Sequence, residues 1–151
     1  MSALLQYNLV GHVIFGLLGI MALYATWMVL LRDKLNLRFA RWSSATAVVS
    51  LVLSWLSGGY YYTMYYGTAV KPIIKDGAYP WAHSVFMEAK EHVFLFLPFL
   101  AIVIAASVFL LGDRLTPESK FKRPLVFVTG LSFILGVAIT LSGVLISGAV
   151  R

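Results

Sequence analysis

The chain of 151 residues contains no cysteine. Disulfides, thiolate-held iron–sulfur clusters, covalently attached c-type haem and thiol redox chemistry are therefore excluded. Acidic residues are also scarce, because six Asp and Glu stand against twelve Lys and Arg, and the formal net charge is +6. The opening stretch MSALLQYN has neither a basic region nor a signal cleavage site, so we expect the first hydrophobic segment to be retained.

Long hydrophobic runs dominate what is present. Hydrophobic residues make up 60% of the chain, and its mean hydropathy is +0.86. Soluble domains are only about 45–50% apolar, and about 20 apolar residues are enough to cross a bilayer. Four segments reach that length, at approximately residues 9–31, 43–66, 87–111 and 125–149. The sequence therefore predicts an all-α integral membrane protein with a single domain over residues 1–151, an up-and-down bundle of four transmembrane helices.

Basic residues are concentrated in two short loops, which follow the first and third segments. They are Arg32, Lys34, Arg38, Arg41, Arg114, Lys120, Lys122 and Arg123. By the positive-inside rule both loops face the cytoplasm, so both termini and the long loop between helices 2 and 3 lie on the outer, periplasmic side. This pattern and the lack of a transit peptide favour a bacterial inner membrane. Topology and anionic lipids account for the charge, so we expect no nucleic-acid partner.

Small side chains recur at helical spacing in three of the segments. They are Gly16 and Gly19 beside His12 in the first segment, Ser50, Ser54, Ser57 and Gly58 in the second, and Ser132, Gly136, Thr140, Gly143 and Ser147 in the fourth. Such faces let helices approach closely, and the alternative interpretation is a groove for a flat ligand ring. The connection GTAVKPIIKDGAYPWAHS mixes proline and glycine with hydrophobic residues, which predicts a long loop folded over the bundle as a lid.

The stretch AYPWAHSVFMEAKEHVFLFLP, residues 78–98, brings ionisable residues to the start of the third segment. In a helix, Glu88, Glu91 and His92 would share one face, and Lys90 would point away toward the lipid headgroups. His12 lies about one turn inside the first segment, at a predicted depth similar to that of His92. Ionisable groups at membrane depth generally mark function, so these two histidines are the main candidates for a site.

The leading hypothesis is one b-type haem near the outer membrane face, held between helices 1 and 3 by the axial ligands His12 and His92. Gly16 would leave room for the porphyrin edge, and Lys90 or a lysine of the outer loop could pair with a propionate. In architecture and histidine placement the chain resembles small four-helix membrane cytochromes of the b type, including haem-bearing anchors of respiratory enzymes. The haem hypothesis implies electron transfer across the outer half of the membrane, to or from quinol or a periplasmic redox partner.

Three alternatives stay open. The first is a non-haem zinc, iron or copper site at His12 and His92, with His83, Glu88 and Glu91 as alternative ligands. The second is a cofactor-free structural or assembly subunit, docked against other membrane or periplasmic subunits or a second copy. The third is a structural role for His12, in which the neutral ring is hydrogen-bonded to a Ser or Tyr hydroxyl or to Glu88. In the haem hypothesis His12 and His92 are both required, whereas His83 is required only for a bare metal site.

Overall fold

The computed structural model describes residues 2–150, and that part of the chain is helical throughout apart from turns and short loops. Four helical stretches are long and apolar enough to cross a membrane: Ala3–Leu30, Leu37–Lys75, Ala82–Arg114 and Lys122–Gly148. The prediction of an all-α chain with four helices able to span a bilayer is confirmed.

Five α-helices and two π-helical segments build these stretches. They are α1 (Ala3–Leu30), α2 (Leu37–Tyr61), a first π-helical segment (Tyr62–Val70), α3 (Lys71–Lys75), a second π-helical segment (Ala82–Met87), α4 (Glu88–Leu111) and α5 (Lys122–Gly148). A single 3-10 turn, Gly112–Arg114, follows α4.

The four long helices form a bundle in which each helix lies beside two others. Both α1 and α4 contact α2 and α5, so α1 and α4 are diagonally opposite. Residues 31–36 and 112–121 close one end, which we call the basic end after its Lys and Arg residues. The other end holds His12, His83 and His92, and we call it the histidine end.

Small residues set the spacing of the helices, as one interpretation of the sequence expected. A methyl group added at Gly19 of α1 would lie 2.7 Å from Cγ of Leu51 in α2, and one at Gly136 of α5 would lie 2.8 Å from Cγ1 of Ile20. Ser132, on the same face of α5 as Gly136, is fully buried. These contacts occur where no larger side chain would fit, because helix backbones approach most closely at small residues.

Polar contacts reinforce the packing of α1. The hydroxyls of Thr26 in α1 and Ser43 in α2 are hydrogen-bonded at 2.8 Å. At the basic end, Nζ of Lys122 donates to the backbone carbonyl of Arg32 at 2.7 Å, and Lys122 is only 7% exposed. The last carbonyls of a helix lack partners within the helix, and a cation near them is favourable. Lys122 therefore ties the start of α5 to the turn that follows α1.

The long loop predicted between helices 2 and 3 is mostly helical in the structure. Only residues 76–81 separate α3 from the second π-helical segment. Pro72, which suggested a loop, stands in the first turn of α3, directly after the first π-helical segment, and proline is well tolerated in the first turn of an α-helix. Ile74 and Ala82 are fully buried beside Ile146 of α5, so the hydrophobic residues of this connection pack onto the bundle.

The close approach at Gly19 can be tested through stability. Gly19→Ala should lower the free energy of unfolding by about 1–3 kcal/mol, because the new methyl group overlaps the buried Leu51. Gly148→Ala is the control, since a methyl group there meets no atom within 4 Å, and it should change stability by less than about 0.5 kcal/mol. Reversible unfolding in mixed micelles measures both. Equal effects of the two variants would show that Gly19 does not limit the α1–α2 distance.

Candidate functional site

A pocket of ≈ 570 Å³ lies at the histidine end and is walled by all four long helices. Its volume is in the range of about 300–1,000 Å³ that is typical of small-molecule sites. Aromatic side chains form much of the wall, among them Trp55, Tyr61 and Phe94. Gly58 of α2 and Gly143 of α5 line it too.

His12 is held in the wall of this pocket by α2. Its ring Nδ1 lies 2.9 Å from the backbone carbonyl of Ser54 and 3.0 Å from the Ser54 hydroxyl. That hydroxyl in turn donates to the backbone carbonyl of His12 at 2.9 Å. Because a carbonyl oxygen can only accept, Nδ1 carries the hydrogen, and in the neutral ring the lone pair is on Nε2. The expected alternative, a serine partner for His12, is therefore present in the structure.

Packing fixes the orientation of the His12 ring. A methyl group at Gly58 would overlap the ring, 2.8 Å from Cε1, so the absence of a side chain there leaves room for the imidazole beside α2. The Phe94 ring of α4 meets the imidazole edge-on, with centroids 5.4 Å apart and planes at 88°. The Nδ1 edge of the imidazole is thus hydrogen-bonded to α2, and the ring also packs against Phe94 of α4.

Lys90 and Glu91 of α4 also line the pocket. The ammonium of Lys90 lies beside Gly143, where a methyl group would come within 3.3 Å of Nζ. This differs from the sequence prediction, in which Lys90 pointed away from the bundle. The inward face of α4 is set by Met87, Phe94, Leu97 and the residues that follow them at helical spacing, and positions 90 and 91 fall on that face.

Glu88, His92 and Gly16 are not part of the wall. His92 is exposed, and its Nδ1 donates to the carbonyl of Glu88 in its own helical turn at 2.7 Å. Glu88 is exposed as well. Gly16 faces α2, where a methyl group would lie 3.1 Å from the hydroxyl of Ser54, so it serves the close approach of α1 and α2. Of the residues predicted for a site, the structure brings together His12, Lys90 and Glu91.

His83 is buried next to the pocket, with 1% of its surface exposed. Its Nδ1 lies 3.1 Å from the hydroxyl of Tyr66, and Tyr66 lines the pocket. Within residues 2–150, no partner reaches Nε2 of His83 or Oε1 of Glu91, and both atoms are buried. The tyrosine belongs to the first π-helical segment and the histidine to the second, and π-helical turns are often found at functional sites.

The structure adds Ser54, Gly58 and Tyr66 to the predicted site residues. Ser54 and Gly58 belong to the run of small residues in the second segment, and that run indicates where another helix approaches. Nothing in the sequence distinguishes Tyr66 from the neighbouring tyrosines, because its burial depends on how the connection folds back.

The residues predicted as metal ligands are not gathered at one place. Over the described range 2–150, no three His, Asp or Glu side chains are arranged to hold a metal ion. Comparisons of the chain with protein-family models, with curated proteins and with solved structures give no match.

The bond between Tyr66 and His83 can be tested by substitution. Tyr66→Phe should lower the free energy of unfolding by about 1–3 kcal/mol, because it leaves a buried imidazole nitrogen without a partner. Tyr60→Phe is the matched control, since Tyr60 is 39% exposed and should tolerate the loss of its hydroxyl. Removing both partners in Tyr66→Phe with His83→Leu should recover part of the loss. Fully additive effects would show that the two side chains do not interact.

Proposed function

We propose that this chain binds one b-type haem in the pocket at the histidine end, with His12 as axial ligand, and that it serves in electron transfer within the membrane. The observation that supports this most is the bond from Nδ1 of His12 to the carbonyl of Ser54. Histidines that bind metals commonly donate their other ring N–H to such a carbonyl, which fixes the tautomer and the ring orientation.

The other residues of the pocket fit the same group. Trp55, Tyr61 and Phe94 offer flat apolar surface for a large aromatic ring. Gly58 and Gly143 give space to the two side chains that would hold it, His12 and Lys90. A bound b-type haem would supply one-electron redox chemistry. The chain itself would shield the porphyrin from water and would present one imidazole, that of His12 in α1.

Lys90 supports a ligand that carries an acid group. An ammonium inside a membrane bundle is costly unless an anion pairs with it. Lys90 lies in a wall that is mainly apolar, and a propionate carboxylate would match its charge. Glu91 also lines the pocket and carries a negative charge. It would repel a propionate, so the propionate is expected beside Lys90.

The geometry supports a single axial histidine. His92 does not line the pocket, so the sequence-based hypothesis of two axial histidines has less support than ligation by His12 alone. A non-haem metal site has less support again, because residues 2–150 contain no group of three suitable ligands.

Absorption spectroscopy of the purified protein tests the proposal. The wild-type chain should show a Soret band and a reduced α-band with one haem per chain. His12→Ala should lose nearly all of this haem, because it removes the axial nitrogen, whereas His92→Ala should retain it. A colourless wild-type protein would overturn the proposal, and equal losses in the two variants would overturn ligation by His12 alone.

Lys90→Gln extends the same experiment to the proposed propionate contact, with Lys75→Gln as the control that removes one charge from an exposed residue outside the pocket. Haem affinity should fall by about tenfold in Lys90→Gln, as expected for the loss of a charged hydrogen bond. It should stay unchanged in Lys75→Gln. Similar affinities in both variants would remove the role proposed for Lys90.

We further propose that the chain lies in a bacterial inner membrane with the basic end in the cytoplasm and both termini outside. Eight of the twelve Lys and Arg residues are in or next to the two short loops of the basic end, which supports this orientation. Because the chain has no cysteine, Lys34→Cys and Asp76→Cys each create a unique thiol. In intact spheroplasts an impermeant maleimide should label only the thiol at position 76. Labelling only at position 34 would reverse the orientation.

A further inference from the structure

A second groove, of ≈ 520 Å³, lies between α1 and α5 at the basic end. Its floor includes Trp27 of α1 and Gly130 of α5, and the indole covers the glycine so closely that a methyl group there would lie 2.8 Å from Cε2. Because α5 has no side chain at Gly130, the indole lies directly against α5 and forms part of the groove wall. The groove is at the opposite end of the bundle from the proposed haem pocket.

The two parts of the groove differ in chemistry. Toward the membrane interior it is lined by Phe127, Leu131 and Ile134, which are 69%, 42% and 57% exposed and so continue the lipid-facing surface of α5. At the basic end it is lined by Lys122 and Arg123. An apolar channel that ends in two cations matches a molecule with a hydrocarbon chain and an anionic head.

Lys122 is a fixed cation in this groove. Its bond to the carbonyl of Arg32 holds Nζ in place and uses one of the three ammonium hydrogens. Lys122 lines the groove although it is only 7% exposed, and the exposed Arg123, which also lines it, is its neighbour in sequence. Asp33 also lines the groove, and its negative charge would weaken the binding of an anion at the basic end.

We propose that this groove is a specific site for an anionic phospholipid. The phosphate is held by Lys122 and Arg123, and an acyl chain lies along Phe127, Leu131 and Ile134 over Trp27. Basic pockets between transmembrane helices bind anionic lipid headgroups in this way, and tryptophan favours the interface between headgroup and chain. A free phosphate would match the cations and leave the apolar channel unfilled.

Native mass spectrometry of the full chain, with phosphatidylglycerol or phosphatidylcholine added in equal amounts, tests the site. Phosphatidylglycerol should be retained preferentially, as one bound lipid. Arg123→Gln should weaken its retention by about fivefold, the effect expected for one cation near a headgroup. Asp33→Asn should strengthen retention, because it removes the opposing charge. Arg38→Gln is the matched control: it removes one exposed cation from the same end, outside the groove, and should have no effect.

Three results would overturn the proposal. Equal retention of the two lipids would show that the groove does not select charge. An effect of Arg38→Gln as large as that of Arg123→Gln would show diffuse attraction to the basic end in place of a site. Inorganic phosphate that displaces the lipid at low millimolar concentration would show that the apolar channel contributes nothing to binding.

Discussion

A polar side chain inside a bilayer has no water to bond with, so its partner must come from the protein. For His12 that partner is Ser54, through two contacts to the imidazole and one return bond from the hydroxyl to the backbone of His12. These three contacts join α1 to α2 at the level of the pocket, and the bond from Nδ1 to the carbonyl leaves the lone pair of the neutral ring on Nε2. The packing of two helices and the chemistry of the proposed ligand site thus depend on the same contact.

Small residues have two roles along the bundle. In its middle, Gly19 and Gly136 allow helices to touch, and the space between the backbones is filled by Leu51 and Ile20. Toward the histidine end, Gly58 of α2 makes room for the His12 ring and Gly143 of α5 for the end of Lys90, so these glycines let two polar side chains form part of the pocket wall. The contacts at Gly19 and Gly136 match the helix-packing interpretation of the small faces, and the ligand-groove interpretation stays a prediction.

Two features could not be derived from the sequence, for related reasons. The inward face of α4 follows from which of its apolar residues the neighbouring helices cover. The helical spacing of Glu88, Glu91 and His92 fits an inward or an outward face equally well. The connection between the second and third spans is punctuated by proline and glycine as a loop would be. It is helical because its hydrophobic residues, Ile74 among them, find a surface on α5 that only the folded bundle provides.

Composition and hydrophobic run length were sufficient to establish an all-helical chain with four helices able to span a bilayer, because about 20 apolar residues in succession have few other ways to satisfy their backbone in lipid. The sequence also shows directly that the basic residues are concentrated in two short loops. Tertiary structure alone decided that Lys90 enters the pocket and His92 does not, and that Tyr66 meets His83. Those outcomes depend on the rotation of each helix about its axis, which is set by contacts between residues far apart in the chain.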